Sequence, residues 1–131
     1  MRVFEPLPRE LEDVATQTVD AAIRVHRTLC PGLLESVYET CLTHELRKRG
    51  LAVKTQVRLP IIYDEIRLEG GLKLDLLVEK QLIVEIKAVD EMNRIFKAQV
   101  LTYLKLARLR LALLINFNVH LLRDGIERII L

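Results

Sequence analysis

The stretch 70–89, GGLKLDLLVEKQLIVEIKAV, constrains the fold more than any other segment of the chain. It holds two short apolar runs around a polar middle, and apolar residues alternate along each run with a period of two. This alternation is typical of half-buried β-strands, because successive side chains of a strand point to opposite faces. The predicted apolar faces are Leu72, Leu74, Leu76 and Val78 in the first strand, and Leu82, Val84, Ile86 and Ala88 in the second. We therefore predict a β-hairpin.

The two apolar faces also predict how the hairpin is paired. Residues directly opposite each other across a hairpin point to the same face. The apolar faces coincide only when the numbers of opposed residues add to an even number, as when Asp75 faces Glu85. A two-residue loop at Lys80-Gln81 would place Asp75 opposite Ile86 and turn a carboxylate toward the core. The sequence therefore predicts a connection with an odd number of residues, or a bulge.

This register brings three charged residues together on the other face of the hairpin. Asp75, Glu85 and Lys87 become neighbours, with two acids side by side. Because like charges repel, we expect at least one carboxyl to have a raised pKa. A divalent cation would relieve the repulsion, and oxygen ligands without Cys or His suit Mg²⁺ or Mn²⁺ better than Zn²⁺. Alternatively, Asp75 forms a structural ion pair with Lys73 or Lys87.

Length and composition limit the class of protein. We predict that the 131 residues form one domain, 1–131. Half of the residues are hydrophobic and there is no Trp, so the core must consist mainly of Leu, Ile and Val. Twenty basic and eighteen acidic residues leave a net charge of only +2, which excludes a strongly basic nucleic-acid binder but not a local basic patch.

Other features of the sequence suggest a cytoplasmic protein. No apolar run approaches the length of a membrane span, so no membrane association is expected. The N-terminal segment, MRVFEPLPRE, has no apolar signal-peptide core. Cys30 and Cys41 do not have the spacing of metal ligands, and we interpret both as reduced thiols.

Three segments have the apolar spacing of amphipathic helices, at residues 10–29, 33–49 and 91–108. We predict Asp90 as the N-cap of the third helix. Glu35 lies in the first turn of the second helix, where the helix dipole favours an acid. Gln99 and Tyr103, four residues apart, present polar groups on one face of the third helix. His26 lies beside the apolar stripe of the first helix, and we expect a surface or cap residue there.

Further segments predict strands. Residues 53–68 read as extended chain, in which Pro60 favours an edge strand or a break between two strand pieces, before a turn at 64–65. The nearly continuous apolar run at 111–117, LALLINF, is typical of a strand buried on both faces. Residues 126–131 are predicted to form a short final strand or edge.

Several of these blocks together resemble a known family. The segment 32–38, GLLESVY, has the form G-x-x-E-x-x-Y, and GGLKLDLLVEKQLIVEIKAV, AQVLTYLKL and LLINF follow in order. From about Val19 to Ile130 the chain closely resembles the GxxExxY proteins, which are usually placed in the PD-(D/E)xK nuclease superfamily. The resemblance implies an α/β, restriction-endonuclease-like fold: a mixed β-sheet flanked by helices, in the order helix-helix-strands-helix-strands. It also implies a metal-dependent phosphodiesterase site.

The resemblance implies a set of metal ligands. Asp75 matches the aspartate of the superfamily motif, and Glu85 matches the acid of its Glu-x-Lys. These carboxylates, with the backbone carbonyl of Ile86, would hold one or two Mg²⁺ ions, for which Mn²⁺ could substitute. Glu35 matches an additional helix acid, and it would reach the metal directly or through water.

The resemblance also implies catalytic groups. Lys87, the lysine of Glu-x-Lys, would orient the attacking water and stabilise the transition state. Gln99 and Tyr103 resemble the Gln-x-x-x-Tyr signature of exonuclease-like branches, and they would fix Lys87 or the scissile phosphate. Two residues depart from the family pattern. Cys30 stands where a Gly usually precedes Pro-Gly, and Phe96 stands where a His usually precedes Ala-Gln.

Three classes of function follow from the sequence. The first is a Mg²⁺-dependent nuclease that hydrolyses phosphodiester bonds, with DNA favoured as the substrate. The second is a nucleic-acid-binding module without useful chemistry, which the low net charge and Phe96 favour and the intact Asp75, Glu85 and Lys87 disfavour. The third is a protein-interaction subunit or a homodimer, assembled through apolar surface expected on the third helix.

Overall fold

The computed structural model describes residues 5–131, so the first four residues of the predicted domain and of the N-terminal segment lie outside it. Its elements, in chain order, are α1 (Arg9–Leu29), α2 (Glu35–Lys48), β1 (Val53–Tyr63), β2 (Ile66–Val78), β3 (Leu82–Lys87), α3 (Arg94–Ala107), β4 (Leu111–Asn116), the 3₁₀ turn η1 (Leu122–Gly125) and β5 (Ile126–Ile130). This order confirms the predicted α/β class. No helix in the described part of the chain is both long enough and apolar enough to cross a membrane.

The strands form one mixed sheet in the order β1-β2-β3-β4-β5. Neighbouring strands are antiparallel except for β3 and β4, which run parallel. Helix α3 supplies the crossover between the parallel pair, as parallel strands require. The C-terminal ends of β3 and β4 therefore lie at the same edge of the sheet, and this edge carries the candidate site.

Two apolar layers cover the sheet. The α1/α2 core joins the first two helices to alternate residues of the central strands, among them Val84 and Leu113. The α3 core joins the third helix to the intervening residues, among them Ile83 and Leu114. Because both faces of β4 are covered, all six of its residues are buried, which confirms the prediction made from the apolar run.

The connection between β2 and β3 has an odd number of residues, as predicted. Val78 pairs with Leu82 and Leu76 pairs with Val84, so opposed numbers add to an even total and three residues form the turn. Glu79 and Lys80 both adopt positive φ angles in this turn, +52° and +59°. The predicted register of the hairpin is therefore confirmed.

The predicted continuous alternation along β2 is wrong. Leu76 and Val78 pack in the α1/α2 core, whereas Leu72 and Leu74 pack in the α3 core. The strand thus changes faces around Asp75. The neighbouring strand is also irregular at this point, because Gln56 of β1 has a φ of +50° and is skipped in the pairing between Thr55–Leu76 and Val57–Leu74.

Other local predictions can be compared with the structure. Strand β1 lies at the edge of the sheet and its register shifts between Leu59 and Ile61, as predicted from Pro60. The predicted N-cap Asp90 is wrong: Asn93 caps α3, and its Oδ1 accepts a hydrogen bond from the Ile95 N–H at 2.9 Å.

The expected surface position of His26 is also wrong. Its ring is buried, and Nε2 lies 2.8 Å from the carbonyl oxygen of Val119, which follows β4. Burial of this ring is possible because the long-range contact provides a polar partner inside the fold.

Candidate functional site

The candidate site begins where the ladder between β2 and β3 ends. The last ladder pair is Leu76–Val84, one residue short of Asp75 and Glu85. Beyond this pair, the Asp75 N–H donates to Glu85 Oε1 at 3.0 Å, and the Ile86 N–H donates to Asp75 Oδ2 at 2.9 Å. Side-chain carboxylates thus replace backbone carbonyls as acceptors, which fixes the two acids side by side.

Burial makes this pair of acids electrostatically unusual. Glu85 is only 6% exposed, and burial, followed by repulsion from Asp75, raises its pKa to about 8. The Asp75 backbone N–H and the Lys87 charge act in the opposite direction. The expectation that at least one acid has a raised pKa is confirmed, so in the absence of a cation Glu85 keeps its proton to a higher pH than an ordinary Glu.

The alternative interpretation, structural ion pairs, is not observed. Within residues 5–131, neither Asp75 nor Glu85 has a Lys or Arg nitrogen within 4.0 Å. Lys73 and Lys87 thus stand near the two acids without pairing with them. A buried acid next to a second acid, without a basic partner, is costly for stability, and such sites are often retained for function.

Helix α2 forms one wall of the site. Glu35, its first residue, lines a cleft of about 240 Å³ together with Asp75 and the strand residue Ile86. Burial raises the pKa of Glu35; the Asp75 charge adds to this effect and the Lys87 charge opposes it. Glu35 therefore lies within electrostatic range of both strands of the site.

The same cleft contains an acid that the sequence interpretation missed. Glu39 lines it beside Lys73, and burial raises the pKa of Glu39. The Gln56 side chain donates a hydrogen bond to Glu39 Oε1. The available signal was helical spacing, since Glu39 lies four residues after Glu35 and shares its face of α2.

Helix α3 lies on the other face of the sheet from α2 and reaches the site beside Lys87. The Lys87 Nζ lies 4.4 Å from the centroid of the Phe96 ring, which is a cation–π distance. Burial raises the pKa of the Tyr103 hydroxyl; the Glu85 and Asp75 charges add to this effect, and the Gln99 side chain opposes it. The structure thus brings Lys87, Gln99 and Tyr103 to the same side of the sheet as Glu85.

Asn116, at the end of β4, holds the segment that follows Lys87. Its Oδ1 accepts hydrogen bonds from the N–H groups of Val89 and Asn118, each at 3.1 Å. Its Nδ2 donates to the Val89 carbonyl at 2.9 Å. The sequence interpretation missed this positioning residue because it treated 111–117 as an apolar strand; the single Asn in that run was the available signal.

The tyrosine of the G-x-x-E-x-x-Y segment fixes the entry into α2. The buried Tyr38 hydroxyl donates to the Cys30 carbonyl at 2.6 Å and accepts from the Leu33 N–H at 3.1 Å. Its ring stacks on Phe117, which follows β4, with 4.6 Å between ring centroids. Tyr38 therefore sets the position at which α2 begins, and with it the position of Glu35.

The oxygen-rich site fits a hard divalent cation with few protein ligands. In the part of the chain that is described, no three His, Cys, Asp or Glu side chains are grouped closely enough to hold a metal. Glu35 is therefore not placed as a third direct ligand. Asp75 and Glu85 remain, and the hydrogen bonds between their strands use only one oxygen of each. Two carboxylates suit Mg²⁺, which commonly keeps several waters and uses one or two carboxylates with substrate phosphates.

An Asp beside a Glu-x-Lys strand, flanked by helices, defines the class of phosphodiester-hydrolysing nucleases that the sequence resembles. The family profile of the PD-(D/E)XK nuclease superfamily matches residues 12–129, so the chain belongs to this superfamily. The observed helices and mixed sheet are consistent with its restriction-endonuclease-like fold. Searches among curated proteins and solved structures gave no significant match. Membership indicates a nuclease with a nucleic-acid substrate, in a superfamily that generally uses divalent metals.

Proposed function

We propose that this chain is a Mg²⁺-dependent nuclease of the GxxExxY type that hydrolyses phosphodiester bonds in DNA. The observation that carries the proposal is the pair formed by buried Glu85 and half-buried Asp75, which has no basic partner within ion-pair distance among residues 5–131. The resemblance of the chain to restriction-type nucleases favours DNA over RNA as the substrate. Residues 1–131 would act as one domain.

The proposed ligands are the carboxylates of Asp75 and Glu85 and the backbone carbonyl of Ile86. Glu35, which lines the same cleft as Asp75 and Ile86, would contribute through a water molecule. A bound Mg²⁺, or Mn²⁺ in its place, would neutralise phosphate charge and lower the pKa of a water molecule. Because the carboxylates must be ionised to bind a cation, Glu85 would release its proton on binding.

Lys87 would supply the positive charge next to the reacting phosphate. Its ammonium group can orient the attacking water by hydrogen bonding and can stabilise negative charge that develops in the transition state. The Phe96 ring lies against this ammonium and restricts where it can go. Gln99 and Tyr103, from the same helix, would hold Lys87 or the scissile phosphate.

The test is cleavage of labelled single-stranded DNA, duplex DNA and RNA, with Mg²⁺, with Mn²⁺ and with a chelator. We expect metal-dependent cleavage of DNA by the wild-type chain. Lys87→Ala should reduce the rate by about 10²–10³-fold, as removal of one transition-state donor does in other enzymes. Lys80→Ala, in the turn between β2 and β3, is the matched control and should cleave like wild type. Cleavage that persists in the chelator, or that proceeds in Lys87→Ala at the wild-type rate, would refute the proposal.

One observation favours a second function, which is nucleic-acid binding without cleavage. Phe96 cannot hydrogen-bond to a phosphate or to Gln99, as a His in its place could. If the wild-type chain binds DNA but none of the three substrates is cleaved with either metal, this second function replaces the first.

A further inference from the structure

A second cleft, of about 570 Å³, lies at the same edge of the sheet as the candidate site. One wall is the end of α1 with the turn after it, and the other is the segment 120–123, which follows β4. Two hydrogen-bond contacts join the end of α1 and the turn after it to the segment that follows β4. The Gly32 N–H donates to Asn118 Oδ1 at 3.1 Å, and His26 Nε2 lies 2.8 Å from the Val119 carbonyl oxygen.

The cleft is close to the candidate site along the chain. Pro31, in its wall, is four residues before Glu35, so their Cα atoms are at most about 14 Å apart even along fully extended chain. On the strand side, the Phe117 N–H donates to the Lys87 carbonyl at 2.9 Å, and 118–119 then leads into the cleft wall. A polymer held at the site can therefore reach the cleft within a few units.

The cleft contains two guanidinium groups that the described residues leave unpaired. Arg27 and Arg123 are exposed, and neither forms an ion pair or a side-chain hydrogen bond within residues 5–131. By contrast, Arg49 in the adjacent groove is paired with Asp20 at 2.8 Å. That acid is therefore engaged elsewhere and does not neutralise Arg27.

The other residues that line the cleft are suited to contact the base of a nucleotide. Among the described residues, no acidic side chain lines the cleft, whereas His120 adds a ring that can donate a hydrogen bond. Apolar side chains, including Ile23 and Leu121, form much of the remaining wall. A guanidinium fork matches a phosphate, and an apolar wall suits the face of a base.

We propose that this Arg27–Arg123 cleft binds the nucleic-acid strand outside the scissile bond, with phosphates on the two arginines and a base against the apolar wall. The inference rests on the proposed function of the Asp75–Glu85 site. It gives the nearly neutral chain a local basic surface close to the cleavage site. Because the cleft lies within a few nucleotide units of that site, its proposed occupant is a further part of the substrate strand rather than a free nucleotide.

The test measures binding separately from cleavage. Lys87→Ala, as the full chain, serves as the reference, since it is expected to degrade the probe about 10²–10³-fold more slowly than wild type. Fluorescence anisotropy with labelled single-stranded DNA is recorded over a series of salt concentrations. Adding Arg27→Gln and Arg123→Gln should weaken binding by about tenfold or more at low salt. The salt slope should become shallower by about 1.4, or about 0.7 for each phosphate that an arginine no longer neutralises.

Matched controls keep the result specific. Lys80→Gln with Lys105→Gln removes the same charge at the opposite edge of the sheet, and this variant should bind like the reference. Each arginine is also changed singly, and each single change should account for about half of the slope change. Thermal melts of all variants identify any loss of folding. If the double arginine variant does not fold, the binding of the two single variants is compared with that of the reference instead.

The outcomes separate this proposal from the nuclease proposal. Unchanged affinity and slope in the double arginine variant would overturn the cleft proposal even if the wild-type chain cleaves DNA. Competition by a mononucleotide or inorganic phosphate at the same concentration as the DNA strand would also overturn it, in favour of a free-anion pocket. Wild-type chain that neither binds nor cleaves any nucleic acid would refute both proposals.

Discussion

The backbone N–H of Asp75 donates a hydrogen bond to the carboxyl of Glu85, with 3.0 Å between N and Oε1. The reverse contact comes from the N–H of Ile86, which donates to Asp75 Oδ2 at 2.9 Å. Each acid therefore satisfies the backbone of the other strand at the point where the strands separate. The same contacts keep a buried carboxyl next to a second acid, which explains why the Glu85 pKa is raised to about 8.

We predict that stability falls as pH rises in the absence of metal. An unfolded Glu titrates near 4.3, so between that pH and about 8 the folded chain holds an extra proton on Glu85. The stability that this extra proton contributes is fully present below the pKa of Glu85 in the unfolded chain, and it is lost as pH rises through the pKa of Glu85 in the folded chain. The free energy of unfolding therefore falls by at most about 1.4 kcal/mol per pH unit. Urea unfolding at about pH 6 and about pH 9, in chelator, measures the slope.

Glu85→Gln tests the assignment of that slope. Glu35 and Glu39 also have raised pKa values, so the variant should flatten the pH dependence without removing it entirely. Glu91→Gln, at an exposed position, is the control and should leave the slope unchanged. A Glu85→Gln chain that keeps the full wild-type slope would contradict the assignment.

The sequence predicted the fold well where burial alone determines the structure. The apolar run of β4 and the number of residues in the β2–β3 turn appear as predicted. The prediction that β3 is half-buried is wrong, because α3 covers its second face and Leu82 to Ile86 are all buried. The face change of β2 was not predictable in this way. A period-two pattern shows that alternate residues are buried, but not which of two apolar layers covers them. Leu74 and Leu76 therefore look alike in sequence although they enter different cores.

The site was predictable in part for a similar reason. Asp75, Glu85 and Lys87 follow from a local register, and the motif resemblance added the residues on the helices. Asn116 was missed because a buried amide is recognised only by its partners, and its partner Val89 lies 27 residues away in sequence. His26 was misplaced for the same reason, since its partner Val119 is 93 residues away.

We predict that Cys30→Gly stabilises the fold. Cys30 has φ +63° and ψ 174°, a region of backbone conformation that is nearly exclusive to Gly. Such strain costs on the order of 1–3 kcal/mol. Part of the gain is offset by the greater freedom of Gly in the unfolded chain, so we expect a net gain of about 1 kcal/mol by urea unfolding. Cys30→Ala retains a Cβ and should show no such gain; an equal gain in both variants would contradict the backbone explanation.

We predict that Tyr38→Phe destabilises the start of α2. The ring stack on Phe117 is kept, but the Cys30 carbonyl and the Leu33 N–H lose their hydrogen-bond partner. Loss of such part-buried bonds costs about 1–3 kcal/mol, measured by urea unfolding. Tyr63→Phe is a matched control, because Tyr63 is 74% exposed at the edge of the sheet. Equal effects of the two changes would show that the Tyr38 hydroxyl has no special role.

We predict that the Phe96 ring increases the rate of cleavage through Lys87. Phe96→Leu keeps an apolar side chain but removes the cation–π contact with the Lys87 ammonium. Such contacts contribute about 0.5–1 kcal/mol, so the single-turnover rate should fall by about two- to fivefold. Phe96→Tyr retains an aromatic face and should cleave at close to the wild-type rate. A Leu variant as fast as wild type would show that the ring does not position the ammonium.

We predict that Mg²⁺ stabilises the folded chain through Asp75 and Glu85. Cation binding relieves their repulsion, and at a hundredfold excess over the dissociation constant it adds about 2.7 kcal/mol to the free energy of unfolding. Because the cation competes with the Glu85 proton, the thermal shift should be larger at about pH 8.5 than at about pH 6.5. Mn²⁺ should substitute for Mg²⁺, since both accept oxygen ligands.

Three variants locate this effect within the chain. Asp75→Asn removes a charged ligand and should reduce the shift, whereas Lys87→Ala should retain it while cleavage slows by about 10²–10³-fold. Asp64→Asn, in the exposed turn between β1 and β2, removes an acid far from the site along the sheet and should behave like wild type. If millimolar metal shifts the melting of wild type and Asp75→Asn equally, or shifts neither, the two acids do not form a cation site. Their buried contact would then serve only to hold β2 and β3 together where the ladder ends.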